Sequence, residues 1–129
     1  MARILVIDDD QVLLDLLENL LKKEGYIVDS MISAKQALKK SDGKDYDLII
    51  VDLRTPEMSN HEFVTIYKKT FSDKSDTAIL VLSEDQTKEI MNISIEEGTD
   101  DLEQKPFNKH SFFKKIERMI EESKKKKEC

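Results

Sequence analysis

The runs RILVI (3–7), DLIIV (47–51) and AILVLS (78–83) most constrain what this chain can fold into. Each is short, rich in β-branched residues and continuously apolar. A strand with one wet face alternates apolar with polar side chains, so continuous runs of this length point to strands buried on both faces. YIVDSMI (26–32) gives a further candidate strand and DLEQ (101–104) a weaker one. Helical spacing fills the gaps. Segment 11–23 offers Leu13, Leu16, Leu17, Leu20 and Leu21, with Gly25 as the stop, and 34–40 offers Ala34, Ala37 and Leu38. Segment 60–70 offers Phe63, Ile66 and Tyr67; 86–97 offers Ile90, Met91 and Ile93, closed by Gly98; about 108–122 offers Phe112, Ile116, Met119 and Ile120. Five strands alternating with five helices imply an α/β fold with a parallel sheet covered on both faces, because parallel crossovers need helices.

The chain has 129 residues, which suits one domain, expected over 1–122. The lysine-rich segment 123–129 reads as a frayed, solvated helix end, or as the start of a linker to an output domain. A net charge of −6 argues against nucleic-acid binding by this domain. No apolar run approaches membrane-spanning length, and no basic leader precedes an apolar signal region. The single cysteine, Cys129, leaves no disulfide framework and fits a reducing compartment, so a cytoplasmic location is expected.

In a doubly wound sheet, sites form beyond the carboxyl ends of the strands. Strand one ends at Asp8, Asp9 and Asp10, strand three at Asp52, strand four at Ser83, and strand five runs out at Lys105 and Pro106. Taken singly, these residues have ordinary roles as helix caps or solvated charges. Together they bring carboxylates, a hydroxyl and an ammonium to one edge. Clustered carboxylates favour a hard divalent cation with oxygen ligands and retained waters, which suits magnesium. An oxygen nucleophile beside a cation and an ammonium is what phosphoryl transfer to a carboxylate requires.

At these residues the chain resembles the response-regulator receiver domains of two-component signalling. The resemblance runs from RILVIDDD through YDLIIVDLRTPEM and AILVLS to GTDDLEQKPF, in that order. It implies a flavodoxin-like (βα)5 domain with strand order 2-1-3-4-5. It further implies that Asp52 is the phosphoacceptor, that Asp8 and Asp9 bind Mg2+ (or Mn2+) together with Asp52, and that the carbonyl of Arg54 is another ligand. Of the acidic pair, Asp9 would ligate directly and Asp8 through water. Ser83 would be the switch hydroxyl and Lys105 the phosphoryl-pairing lysine, with a cis bond to Pro106. Asp10 would open the first helix without a catalytic role. The partners implied are a sensor histidine kinase or a histidine phosphotransfer protein. A downstream protein or second copy would dock on the face made by the fourth helix, fifth strand and fifth helix, where Met91 and Ile95 form a second apolar stripe that serves either as that surface or as extra core packing. The chain would be a switch that catalyses its own phosphorylation and dephosphorylation rather than a conventional enzyme.

Four departures from the family pattern bear on switching. Leu102 stands where an aromatic residue is usual, and Asn60 stands for a loop glycine, a place where asparagine tolerates left-handed backbone. Glu84 replaces a small residue, and Arg54 and Asp85 flank the site, where Arg54 paired with Asp85 or Glu84 would modulate phosphate lifetime. His61, His110, Asp100 and Asp101 read as surface or turn residues. Two other readings stay open. One is a phosphorylation-independent interaction module. The other is a haloacid-dehalogenase-type phosphatase using Asp8 and Asp10 as its D-x-D pair, with Ser83, Lys105, Asp100 and Asp101 in support.

Overall fold

The computed structural model describes residues 2–52, 58–71, 76–83, 101–104 and 108–128, with only the backbone described for 61, 83, 101–104 and 128. Five strands, β1 (Arg3–Asp8), β2 (Ile27–Met31), β3 (Leu48–Asp52), β4 (Ala78–Ser83) and β5 (Asp101–Gln104), form one sheet in the order β2-β1-β3-β4-β5. All four pairings are parallel. Helices α1 (Gln11–Lys23), α2 (Ala34–Lys40), α3 (Asn60–Thr70) and a C-terminal helix (Lys109–Glu128) complete the described elements. The helix expected at 86–97, with its candidate docking stripe, lies outside the described residues.

Two-sided burial follows residue by residue from the continuous apolar runs. Ile4 and Val6, Leu48 and Ile50, and Leu80 and Leu82 pack on one face with Leu14, Leu17 and Leu21 of α1 and Phe112, Ile116 and Ile120 of the C-terminal helix. Their strand neighbours Leu5 and Ile7, Ile49 and Val51, and Ile79 and Val81 pack on the other face with Ala34 and Ala37 of α2 and Phe63, Val64 and Tyr67 of α3. Side chains alternate sides along a strand, and here both sides are core.

Local chemistry sets the helix ends. Asp10 caps α1 by accepting from the Val12 N–H, Ser33 caps α2 through the Gln36 N–H, and Ser59 caps α3 through the Glu62 N–H. The α1 exit is a Schellman turn. The Gly25 N–H donates to the Lys22 carbonyl and the Tyr26 N–H to the Leu21 carbonyl, with Gly25 at φ +92°, a value that favours glycine.

The structure corrects several expectations. On α1 the buried residues are Leu14, Leu17 and Leu21, while Leu16 is 50% exposed, so the buried stripe lies to one side of the expected one. In α3, Val64 is buried and Ile66 is exposed. Asn60 is the first residue of α3, and no non-glycine residue among those described has positive φ, so it takes over no left-handed glycine position. The C-terminal helix does not stop near 122 but continues to Glu128. Its final turns are anchored: Ser123 Oγ donates to the Asp76 carbonyl at 2.6 Å, and Lys127 Nζ donates to the Tyr46 carbonyl and Asp45 Oδ1, both at 3.0 Å. No described helix is long and apolar enough to cross a membrane.

Two measurements check this packing. Leu14→Ala should cost about 3 kcal/mol in chemical denaturation, as expected for a leucine removed from a tight core. Leu16→Ala should change stability by no more than about 0.5 kcal/mol. The second concerns Glu18, which accepts from Lys22 Nζ at 2.6 Å and from Ser30 Oγ at 2.7 Å, tying α1 to β2. The Lys22 bond first, then the Ser30 bond, holds its carboxyl below the ordinary 4.5. Its stabilising contribution is therefore full above pH 4.5 and fades as pH falls through the lowered value. The stability gap between wild type and Glu18→Gln should be constant above about pH 5 and close on further acidification.

Candidate phosphoacceptor site

The sheet reverses its direction of winding between β1 and β3. The chain moves outward from β1 to β2 on one side and from β3 to β5 on the other. A crevice opens at such a switch point, beyond the carboxyl ends of the central strands. Parallel pairing brings Ile4 opposite Leu48 and, four residues on, Asp8 opposite Asp52, the last residue of each strand. Asp8 is fully buried and Asp52 is 4% exposed. Two carboxylates held this deep on adjacent strands are costly unless positive charge or hydrogen-bond donors meet them. One donor belongs to the local turn: the Asp10 N–H gives a 2.9 Å hydrogen bond to Asp8 Oδ1. Asp9, half-buried, follows β1 directly.

Further along the same edge, β4 ends at Ser83, whose backbone pairs with Gln104 at the end of β5. Lys105 follows Gln104 in sequence. The strand ends thus line up as Asp8, Asp52, Ser83 and the segment leading to Lys105. Leu102 sits inside β5 opposite Val81. Arg54, Glu84, Asp85, Lys105 and Pro106 lie outside the described residues, as do the side chains of Ser83 and Leu102. Asp101 opens β5 rather than belonging to the preceding turn, and His110 is exposed on the C-terminal helix.

Oxygen donors dominate the described part of the site. Asp8, Asp9 and Asp52 offer carboxylates only, with no imidazole or thiolate, a set that fits a hard ion such as Mg2+ and does not fit zinc. Among the described residues no three His, Cys, Asp or Glu side chains form a ready cage for an ion. Asp10 is drawn away from the edge, its carboxylate capping α1 through Val12 at 3.1 Å. That cap removes one leg of the Asp8–Asp10 D-x-D reading. Sequence reasoning placed Asp10 correctly at the helix start but missed its backbone bond to Asp8, although an acid two residues before a helix cap is a signal for such a turn.

Comparisons with known proteins bear on the fold and the family. A family model described as the response regulator receiver domain matches residues 4–117. The cell cycle transcriptional regulator CtrA of Caulobacter vibrioides is 30% identical over 122 residues, which cover 95% of this chain and 52% of that protein. The chain therefore spans about half the length of the curated relatives it matches. Chemotaxis protein CheY4 of Vibrio cholerae superposes with a TM-score of 0.85 at 28% identity, covering 92% of this chain and 98% of that one. The response regulator TrrA of Thermotoga maritima, solved in complex with Mg(2+)-BeF, gives a TM-score of 0.79 at 30% identity, covering 92% and 99%.

Proposed function

This chain belongs to the response-regulator receiver domains of two-component signalling, and on that premise we propose that Asp52 is its phosphoacceptor. The observation that carries the reading is the pairing of buried Asp52 directly opposite buried Asp8 at the carboxyl edge of the sheet. Asp52 is there the described carboxylate on the central strand β3, with potential donors and ligands from β1, β4 and β5 to either side. A carboxylate oxygen of Asp52 attacks phosphorus, the bond from phosphorus to the donor breaks, and the donor leaves with that electron pair. With a phosphohistidine donor, the leaving group is the imidazole of a sensor kinase or phosphotransfer protein. With acetyl phosphate it is acetate.

Asp8, Asp9, Asp52 and the carbonyl of Arg54 are the residues that would hold Mg2+ (or Mn2+). Bound there, the ion supplies neutralising charge to the phosphoryl oxygens. Lys105 adds an ammonium for the same oxygens, and the Ser83 hydroxyl donates a hydrogen bond to the product, the step that would convert phosphorylation into a conformational signal. The peptide bond from Lys105 to Pro106 belongs to this reading as a cis bond. Leu102 in place of an aromatic side chain alters how that signal leaves the site. Downstream contact, with another protein or a second copy, is assigned to the face made by the expected fourth helix, β5 and the C-terminal helix. The Caulobacter relative is named a transcriptional regulator and is about twice as long. Any DNA contact in a longer protein of this kind is placed outside the present 129 residues, whose net charge is −6.

Incubation with acetyl phosphate and Mg2+, followed by reductive trapping and peptide mapping, should locate the modification at Asp52 and abolish it in Asp52→Asn. Modification at Asp8 would instead support the phosphatase reading, and none at all would support a phosphorylation-independent module. Arg54 with Asp85 or Glu84 is proposed to shield the acyl phosphate from water. Arg54→Ala should then dephosphorylate several-fold faster than wild type, and an unchanged rate would remove this pair from the account.

A further inference from the structure

We propose that Asp10 is a positioning residue for the metal-binding carboxylate of Asp8, in addition to capping α1; this rests on the magnesium reading above. Two identical turns are chained at the exit of β1. The Asp10 N–H donates to Asp8 Oδ1 at 2.9 Å, and two residues on the Val12 N–H donates to Asp10 Oδ1 at 3.1 Å. The Asp10 carbonyl also accepts the Leu14 N–H at 3.0 Å, the first bond of the α1 ladder. Asp10 is therefore fixed on both sides, with φ −98° and ψ 108°, and its amide hydrogen has one orientation.

That orientation matters because Asp8 is fully buried. One oxygen of its carboxylate is held by the amide, which sets the side-chain rotation and hence where the second oxygen lies. A carboxylate held this way loses less rotational freedom on accepting the water through which Asp8 would reach the ion, and outer groups that orient a metal's surroundings typically change metal affinity about 10–100-fold. The Asp10 side chain reaches Asp8 only indirectly, by locking the backbone that carries the amide. Its required property is thus a capping oxygen rather than a negative charge. Asparagine and serine supply such an oxygen, and alanine does not.

The test is Mg2+ affinity of the phosphate-free full chain, followed by amide chemical shifts in an NMR titration. Asp10→Ala should bind Mg2+ about tenfold more weakly than wild type, at the lower end of the effect of such outer groups. Asp10→Asn and Asp10→Ser, which keep the cap but lack the charge, should stay within about threefold of wild type, a residue of the lost charge screened by solvent. Ser33→Ala removes the equivalent cap from α2, far from the site in sequence, and should match the stability loss of Asp10→Ala while leaving Mg2+ affinity unchanged. In the metal-free protein, hydrogen exchange at the amide of residue 10 should quicken in Asp10→Ala and not in Asp10→Asn. The proposal is overturned if folded Asp10→Ala binds Mg2+ like wild type. It is equally overturned if all three Asp10 variants weaken alike, which would make charge the cause, or if Ser33→Ala weakens binding as much. Absence of Mg2+ binding by the wild type would sink the metal reading itself and this proposal with it, a result separable from any difference among the variants.

Discussion

Everything proposed for this chain depends on the register of β1 against β3. The hydrophobic pattern alone fixes it poorly, because both strands are buried on both faces and a slip of one residue would exchange one apolar side chain for another. Polar groups at the two ends do the fixing. At the foot, the Asp47 N–H donates to the Arg3 carbonyl, while Asp47 Oδ2 accepts the Arg3 N–H, each at 2.9 Å. At the head, Asp8 and Asp52 end their strands opposite each other. A slipped pairing would break the first contact and separate the two acids, so the foot of the sheet aligns the chemistry at its head.

That foot is tied together by more than one pair. The Tyr46 carbonyl, just before β3, accepts from Thr77 Oγ1 at 2.8 Å and from Lys127 Nζ at 3.0 Å, and Lys127 also reaches Asp47 Oδ1 at 3.3 Å. The buried Tyr46 hydroxyl donates to Asp29 Oδ2 at 2.8 Å, joining the edge strand β2 to the same network. Burial, and after it that bond to Asp29, holds the phenol protonated far above its ordinary range. The Thr77 bond is buried and the other three are part-buried, and hydrogen bonds shielded from water are strengthened by the low local dielectric. The molecule thus has a foot fixed by internal polar contacts and a head where carboxylates collect for other partners.

The strands were legible in the sequence because β-branched residues in continuous runs have few other solutions, and the acids were legible because they terminate those runs. The faces of the helices were less so. In VLLDLLENLL (12–21) apolar residues surround much of the helix, so spacing alone could not choose Leu14 over Leu16; contact with the sheet decides. Val64 and Ile66 are the same case in α3. The true end of the C-terminal helix was hidden for a different reason. Its last turns carry almost no apolar residues, and they are held by Ser123 and Lys127 through polar contacts with segments about 50 to 80 residues away, which no local pattern records. Likewise, the bond from the Asp10 amide to Asp8 is a backbone contact, and the triplet of acids announced only its side chains.

The most direct test of the account is a crystal structure of this chain grown with Mg2+ and beryllofluoride. The account predicts beryllofluoride on the carboxylate of Asp52, with one metal ion beside it held from the Asp8 and Asp9 side. Beryllofluoride on Asp8, or an ion bound without any contribution from Asp8, Asp9 or Asp52, would contradict it.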